Sequence, residues 1–179
     1  MIFQEQYKEA QRQQFTAAAF VQRYHKYALE SEQETGINAK AIMAQAAIET
    51  GRGKTVVGNM MFGIKARPNT PAYQKQLITT TEYLRTPDVK FPVVLSVQKQ
   101  SNGLYKYKVK DWFMKYNSPK ESFDDHAAFF FRNPRYKKAL EVRGNANRFV
   151  EEIHKAGYAT APNYSTVLKQ IIKTIERYV

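Results

Sequence analysis

The sequence contains no cysteine. Disulfide staples, thiolate zinc sites and thiol nucleophiles are thereby excluded. The compartment is left open, because cysteine-free chains fit both the cytosol and the outside. Histidine is scarce too: His25, His126 and His154 are the only three, without metal-ligand spacing. They read as structural or surface residues, and no metal or cofactor is expected. No apolar run approaches the ~20 residues of a membrane span. The opening stretch, MIFQEQYKEAQRQQF, has no apolar h-region and carries Glu5 and Glu9, so it is not expected to be a secretory signal. Acids are the last shortage. Sixteen stand against 28 basic residues, a net charge of +12. Such a surface attracts polyanions: nucleic acid, an anionic membrane or an anionic wall polymer.

What is present is enough for one domain over residues 1–179, with 43% hydrophobic residues to fill a core. Residues 3–34 read as a helix with an apolar stripe of Ala18, Val21, Tyr24 (or Ala28) and Tyr27, ended by Gly36. Asn38 caps a second helix over 39–50, apolar nearly all round, with Gly51 at its C-terminal cap. Glycines 51, 53, 58 and 63 then mark a tight loop. From Leu77 the period changes to two, and Asn102-Gly103 between alternating runs signals a hairpin. A small antiparallel β lobe is expected over about 77–110. Helices return at SPKE, where Ser118, Pro119 and Glu121 form a capping box. A short helix follows Asn133-Pro134, another holds Phe149, Val150 and Ile153, and Ser165 caps the last. The fold class is α+β, mainly α.

The sixteen acids can be sorted. Most, Glu32 among them, lie in polar helix-surface contexts, Glu121, Asp124 and Asp125 suit the first turns of a helix, Asp88 follows Pro87 in a turn and Asp111 ends the hairpin. Two remain. Glu49 shares a helix face with Ile42 and Ala46 and sits in the last turn. Partial burial and the negative end of the macrodipole both act to raise its pKa, as a general acid requires. A glutamate satisfied by a nearby Lys or Arg is the other reading, and the residues alone leave both open. Glu82 alternates onto the strand face of Ile78, Thr80 and Leu84. It is either a second catalytic carboxylate or an edge-strand charge.

The segment AIMAQAAIETGRGKTVVGNMMFGIKA resembles the catalytic segment of the β-N-acetylglucosaminidases of glycoside hydrolase family 73, the flagellar and autolysin type. The match runs from Ala44 to Gly53, then through Asn59, a one-residue insertion, and Phe62 to Lys65. TTTEY, WFMKYNSPKESFDDHAAFF, RYKKAL and AGYATAPNYSTVL resemble later family motifs, in family order, so the likeness covers about residues 17–178. It implies a lysozyme-like fold, a helical lobe and a small β lobe flanking a substrate groove. It implies hydrolysis of the β-1,4 bond after N-acetylglucosamine in peptidoglycan glycan strands, at the bacterial wall; a monomer is expected. Glu49 matches the general acid and Glu82 the second carboxylate of the β lobe, which a substrate N-acetyl group can replace as nucleophile. Tyr158 matches a tyrosine beside the reacting sugar, or is a core residue after a capping glycine. Gln45, Asn59, Phe62, Lys65, Tyr83 and Tyr164 fall on substrate-binding positions. Arg52 stands where the family often has Trp or Tyr, so a stacking surface is lost or supplied elsewhere. A muramidase or lytic transglycosylase on the same fold, and a non-catalytic glycan- or polyanion-binding protein, are the competing readings. The basic residues are scattered without a nucleic-acid recognition motif, so specific nucleic-acid binding is not expected.

Overall fold

A computed structural model describes residues 15–179 of the chain. It divides into a helical unit, up to Phe62 and from Asn117 to Val179, and a β unit, Gly63–Tyr116. No helix among the described residues is long and apolar enough to cross a membrane.

In the helical unit, α1 (Ala17–Thr35) starts at Thr16, whose Oγ1 accepts from the Ala19 N–H at 3.2 Å. The part of the expected helix over residues 3–14 lies outside the described residues. The buried face is Phe20, Val21, Tyr24, Ala28 and Ser31. Ala18 is exposed and Phe20 takes its place, because the larger ring fixes the helix rotation. Gly36 stops the helix in a left-handed conformation, φ 75°. Nearby, Arg143 donates to the carbonyls of Thr35 (2.9 Å) and Leu140 (2.8 Å), a cation at two helix C-terminal ends.

Helix α2 (Ala39–Thr50) is capped by Asn38, which accepts from the Lys40 N–H at 3.0 Å. Glu32, expected to be solvated, accepts from the Ala39 N–H at 2.8 Å and so adds an acid to the positive end of α2. Ala39 and the whole run Ala41–Ala47 are buried, which makes α2 the central helix of this unit.

After the β unit, α3 (Pro119–Arg132) opens on Ser118, and Glu121 closes the box from one residue further out, accepting from the Asn117 N–H at 2.9 Å. Three helices complete the unit: α4 (Lys137–Glu141), α5 (Ala146–Lys155) and α6 (Tyr164–Ile175). The expectation that Ser165 caps α6 is corrected. Asn163 holds that position, and Ser165 lies inside the helix with its hydroxyl 3.1 Å from His154 Nδ1.

The β unit is a three-stranded antiparallel sheet in the order β1 (Lys75–Leu84), β3 (Tyr105–Met114), β2 (Val93–Lys99). Pairing thus extends a few residues beyond 77–110 at both ends. The Asn102-Gly103 hairpin forms, with only Gly103 left-handed (φ 82°) and bonds Gly103 N–H to Gln100 O (3.1 Å) and Gln100 N–H to Leu104 O (2.7 Å). That is a turn closed by a glycine bulge rather than a two-residue loop. Period two sorts the side chains: Tyr107, Val109 and Phe113 are buried on one face of β3.

Candidate active site

Helix α2 is deeply buried until its last turn, where Ile48 is 40% exposed and Glu49 emerges beside it. The chain then reverses through three consecutive left-handed residues, Gly51, Arg52 and Gly53 (φ 56°, 58° and 89°). A side chain at Gly53 would bring a Cβ within 3.3 Å of the Tyr24 ring. Thr50, only 2% exposed, fastens the turn: its hydroxyl donates to Ala46 O (2.7 Å) and accepts from the Gly53 N–H (2.9 Å). Sequence reasoning missed Thr50; the available signal was a hydroxyl directly before Gly-x-Gly. The short loop therefore presents Glu49 at the rim of the buried helix instead of within it.

Glu49 has no ion pair and no hydrogen bond among the described residues. No Lys or Arg among the described residues pairs with it. The residue as a whole is exposed, yet the protein packed around its carboxyl desolvates the charge and raises its pKa. Two phenols lie within electrostatic reach. Tyr158 and Tyr164 stack at 5.8 Å and 23°, and Tyr158 also stacks on Phe130 at 5.7 Å. Burial first, then the charges of Tyr164 and Glu49, hold Tyr158 well above the ordinary tyrosine range. Burial pushes Tyr164 up to about 12, against a hydrogen bond from Gln45 and with help from Glu49. Both hydroxyls are therefore protonated donors at neutral pH and not bases.

Gln45 and Phe62, placed by resemblance among substrate contacts, are core residues here. Gln45 is 0% exposed and Phe62 is 4% exposed. Gln45 lies behind the stacked tyrosines, donating to Tyr164 Oη at 3.1 Å and accepting at Oε1 from His126 Nε2 at 2.9 Å. Phe62 stacks flat on His126 at 3.8 Å and 4°. Both are enclosed by the protein, without a surface open to a ligand in this structure. Asn59 is half-buried with φ 55°, next to Gly58 at φ 57°, in a tight turn closed from Met60 N–H to Val57 O at 3.1 Å. Two left-handed central residues explain Gly-Asn there without any ligand.

In the β unit, Glu82 is half-buried on the strand face that the alternation predicted. It pairs across with the fully buried Tyr107. Lys65 places its ammonium 3.2 Å from Glu82 Oε1 and 3.1 Å from Asp111 Oδ2. Burial opposes the Lys65 charge, but hydrogen bonds to Asp111 and Glu82 outweigh it and raise its pKa. Lys65 is thus committed to an ion-pair cluster that sequence reasoning did not foresee. Tyr83, 55% exposed, points to the opposite sheet face from Glu82, so the two cannot meet one ligand group from the same face. Arg52 is exposed at the mouth of a cavity of about 310 Å³ lined by Phe20, Ala47, Ile171 and Ile175.

The family described as mannosyl-glycoprotein endo-β-N-acetylglucosaminidase, the glucosaminidases, matches residues 25–177. The peptidoglycan hydrolase FlgJ of Vibrio cholerae is 33% identical over 165 residues, 89% of this chain and 44% of that protein. The chain spans less than half the length of the curated relatives it matches. Among solved structures, the truncated glycoside hydrolase domain of Salmonella typhimurium FlgJ is 30% identical with a TM-score of 0.68, covering 90% of this chain and 99% of that one. The catalytic domain of the Listeria monocytogenes autolysin Auto, 21% identical with a TM-score of 0.66 over 97% and 95% of the two chains, shares the fold.

Proposed function

The chain belongs to the glucosaminidase family, and from that premise we propose that it is a peptidoglycan hydrolase whose general acid is Glu49. The bond cut is the β-1,4 link after N-acetylglucosamine in the glycan strand, and the place of action is the bacterial cell wall. The observation that carries this reading is the state of Glu49: a carboxyl without a cation partner among the described residues, its pKa raised by burial, at the rim of the most buried helix.

A glycosidic oxygen leaves only when it is protonated, and a carboxylic acid that keeps its proton toward neutral pH supplies it. The phenols of Tyr158 and Tyr164 stay protonated beside Glu49. Tyr158 is half-buried as a residue, more open than Tyr164, and its hydroxyl is the one we assign to donate to a sugar oxygen. Tyr164 is 6% exposed and held by Gln45, so it fixes the Tyr158 ring from behind. Glu82 is the candidate for activating the attacking water. The relatives named as peptidoglycan hydrolases support the substrate class.

The deciding experiment is mass spectrometry of purified peptidoglycan digested by the wild type and by Glu49→Gln. Reducing N-acetylglucosamine ends from the wild type, and a loss of at least ~10²-fold in the variant, are expected. Reducing muramic acid ends would make the protein a muramidase, and anhydro ends a lytic transglycosylase. Equal turnover by the variant removes Glu49 as the acid.

A further inference from the structure

The +12 charge is unevenly spread. The β unit holds ten basic and three acidic residues, and two of the three acids, Glu82 and Asp111, are already bound to Lys65. Strand β3 is central in the sheet and carries Lys106, Lys108 and Lys110 at alternate positions, hence on one face. Their spacing along the strand is about 6.6–6.8 Å. The register fixes what lies beside them. On β1 the partners are Tyr83, Thr81 and Thr79, and on β2 they are Gln98, Ser96 and Val93. No carboxylate stands among these six, and none of the three lysines has an ion pair among the described residues. The face ends in exposed aromatics, Tyr83 (55%) opposite Lys106 and Trp112 (38%) two residues beyond Lys110.

Three ammonium groups in a row repel one another, so the ladder costs stability in the free protein. A surface that selects such a row for packing alone is hard to account for, since polar uncharged residues serve a solvated sheet face equally well. We propose that this lysine face docks the carboxylates of peptidoglycan stem peptides, holding the wall polymer while cleavage proceeds elsewhere on the protein. The proposal rests on the reading of peptidoglycan as substrate. The glycan strand of that polymer offers sugar faces, and its peptides offer carboxylates at intervals. Tyr83 fits the first and the lysines fit the second, while the Trp112 ring already has the Lys75 ammonium over it at 5.0 Å. A lipid bilayer is a poorer match, because the centre of the face is charged and its apolar groups are peripheral.

The test compares the wild-type protein with the triple variant K106Q/K108Q/K110Q, and with the triple Lys→Arg variant to separate charge from folding. Binding is read by co-sedimentation with purified sacculi, with sacculi whose carboxyls have been converted to amides, and with anionic phospholipid vesicles. Turnover is read on a short peptide-free glycan. We expect the Gln variant to bind native sacculi at least about tenfold more weakly, with a flatter salt dependence. The wild type should lose comparable affinity on amidated sacculi, the Arg variant should bind as wild type does, and turnover on the peptide-free glycan should be unchanged. Wild-type binding by the Gln variant overturns the proposal. So does undiminished binding to amidated sacculi, tighter binding to vesicles than to sacculi, or an equal loss of turnover on the peptide-free glycan. Binding is measured independently of cleavage. A protein that binds sacculi through these lysines but cuts nothing would therefore refute the proposed activity and not the docking face.

Discussion

His126 Nε2 lies 2.9 Å from Gln45 Oε1, and the two side chains are 1% and 0% exposed. With Gln45 Nε2 donating to Tyr164 Oη, the imidazole must be the Nε2–H tautomer. A neutral donor on α3 is thereby connected through α2 to a phenol on α6. The chain of donors ends at the Tyr164 hydroxyl.

Gln45→Leu keeps the volume and removes both bonds. It strands the His126 N–H and deprives the Tyr164 hydroxyl of its donor in a site without solvent. Each unsatisfied buried group costs about 1–3 kcal/mol. Urea unfolding should show a loss in that range or above it. Because the Tyr164–Tyr158 stack loses its support, kcat on peptidoglycan should fall while the far-UV circular dichroism stays native. A fully stable and fully active variant would mean that the network positions nothing.

His126 also sets an acid limit to stability. Burial lowers its pKa to about 3, against an ordinary value of 6.5. Below pH 6.5 the unfolded chain takes up a proton that the folded chain refuses until about pH 3. Stability from this group is complete above pH 6.5 and is lost progressively as pH falls between the two values, by up to ~1.4 kcal/mol per pH unit. His126→Phe cannot titrate and retains a ring against Phe62. It starts from a lower stability, since Gln45 Oε1 loses its donor, but its melting temperature should change less than the wild type's between pH 6.5 and 4. Parallel curves for the two proteins would refute the assignment.

For Glu49 the sign is opposite. Its folded-state pKa is raised by burial, so the unfolded chain ionises first as pH rises. The stability associated with its protonated form is present at low pH and is lost as pH rises from the ordinary carboxyl range through the raised value. Glu49→Gln carries no such penalty. The variant should melt above the wild type at neutral pH and alongside it near pH 3.5, while having lost its hydrolysis. Thermal scans at the two pH values check this. A variant less stable than the wild type at neutral pH would show that the carboxylate is favourably held.

Local rules sufficed for much of this. The caps at Asn38, Gly51 and Ser118, the hairpin at Gly103 and the face of Glu82 depend on neighbours a few residues away, and the sequence displays those neighbours directly. The Ser165 cap failed because the helix starts two residues earlier, with Asn163 at the cap position but making no side-chain cap bond, and the Ser165 hydroxyl lies against His154 instead. Contacts at long range were not legible. Gln45 and His126 are 81 residues apart, and no periodicity announces that two polar groups in apolar helices will meet. Lys65 likewise carried no sign of its commitment to Glu82 and Asp111, because ion pairing depends on where a loop lysine falls against a folded sheet. The motif placed Glu49 correctly at a helix end, whereas only packing could show that no cation among the described residues sits beside it.

The Lys65–Glu82 contact makes the role of Glu82 testable in two steps. If Glu82 activates the attacking water, Glu82→Gln should cost at least ~10²-fold in kcat, and the first-formed product should have the inverted anomeric configuration. This is the outcome we expect. A substrate N-acetyl group acting as nucleophile would give retention instead, with only a mild defect in the variant. Lys65→Gln separates structure from chemistry. The Lys65 side chain is 51% exposed, so losing the ion pair should cost no more than ~1 kcal/mol of stability. It leaves Glu82 and Asp111 as neighbouring carboxylates without their shared cation, which must change how Glu82 is held. A catalytic Glu82 therefore predicts a lower kcat in Lys65→Gln at nearly unchanged stability. A Glu82 that is only an edge-strand charge predicts an unchanged kcat. NMR of the first anomer formed, with kcat of wild type, Glu82→Gln and Lys65→Gln, decides between them. Retention combined with an unchanged kcat in Lys65→Gln would leave Glu82 as a partner of Lys65 and nothing more.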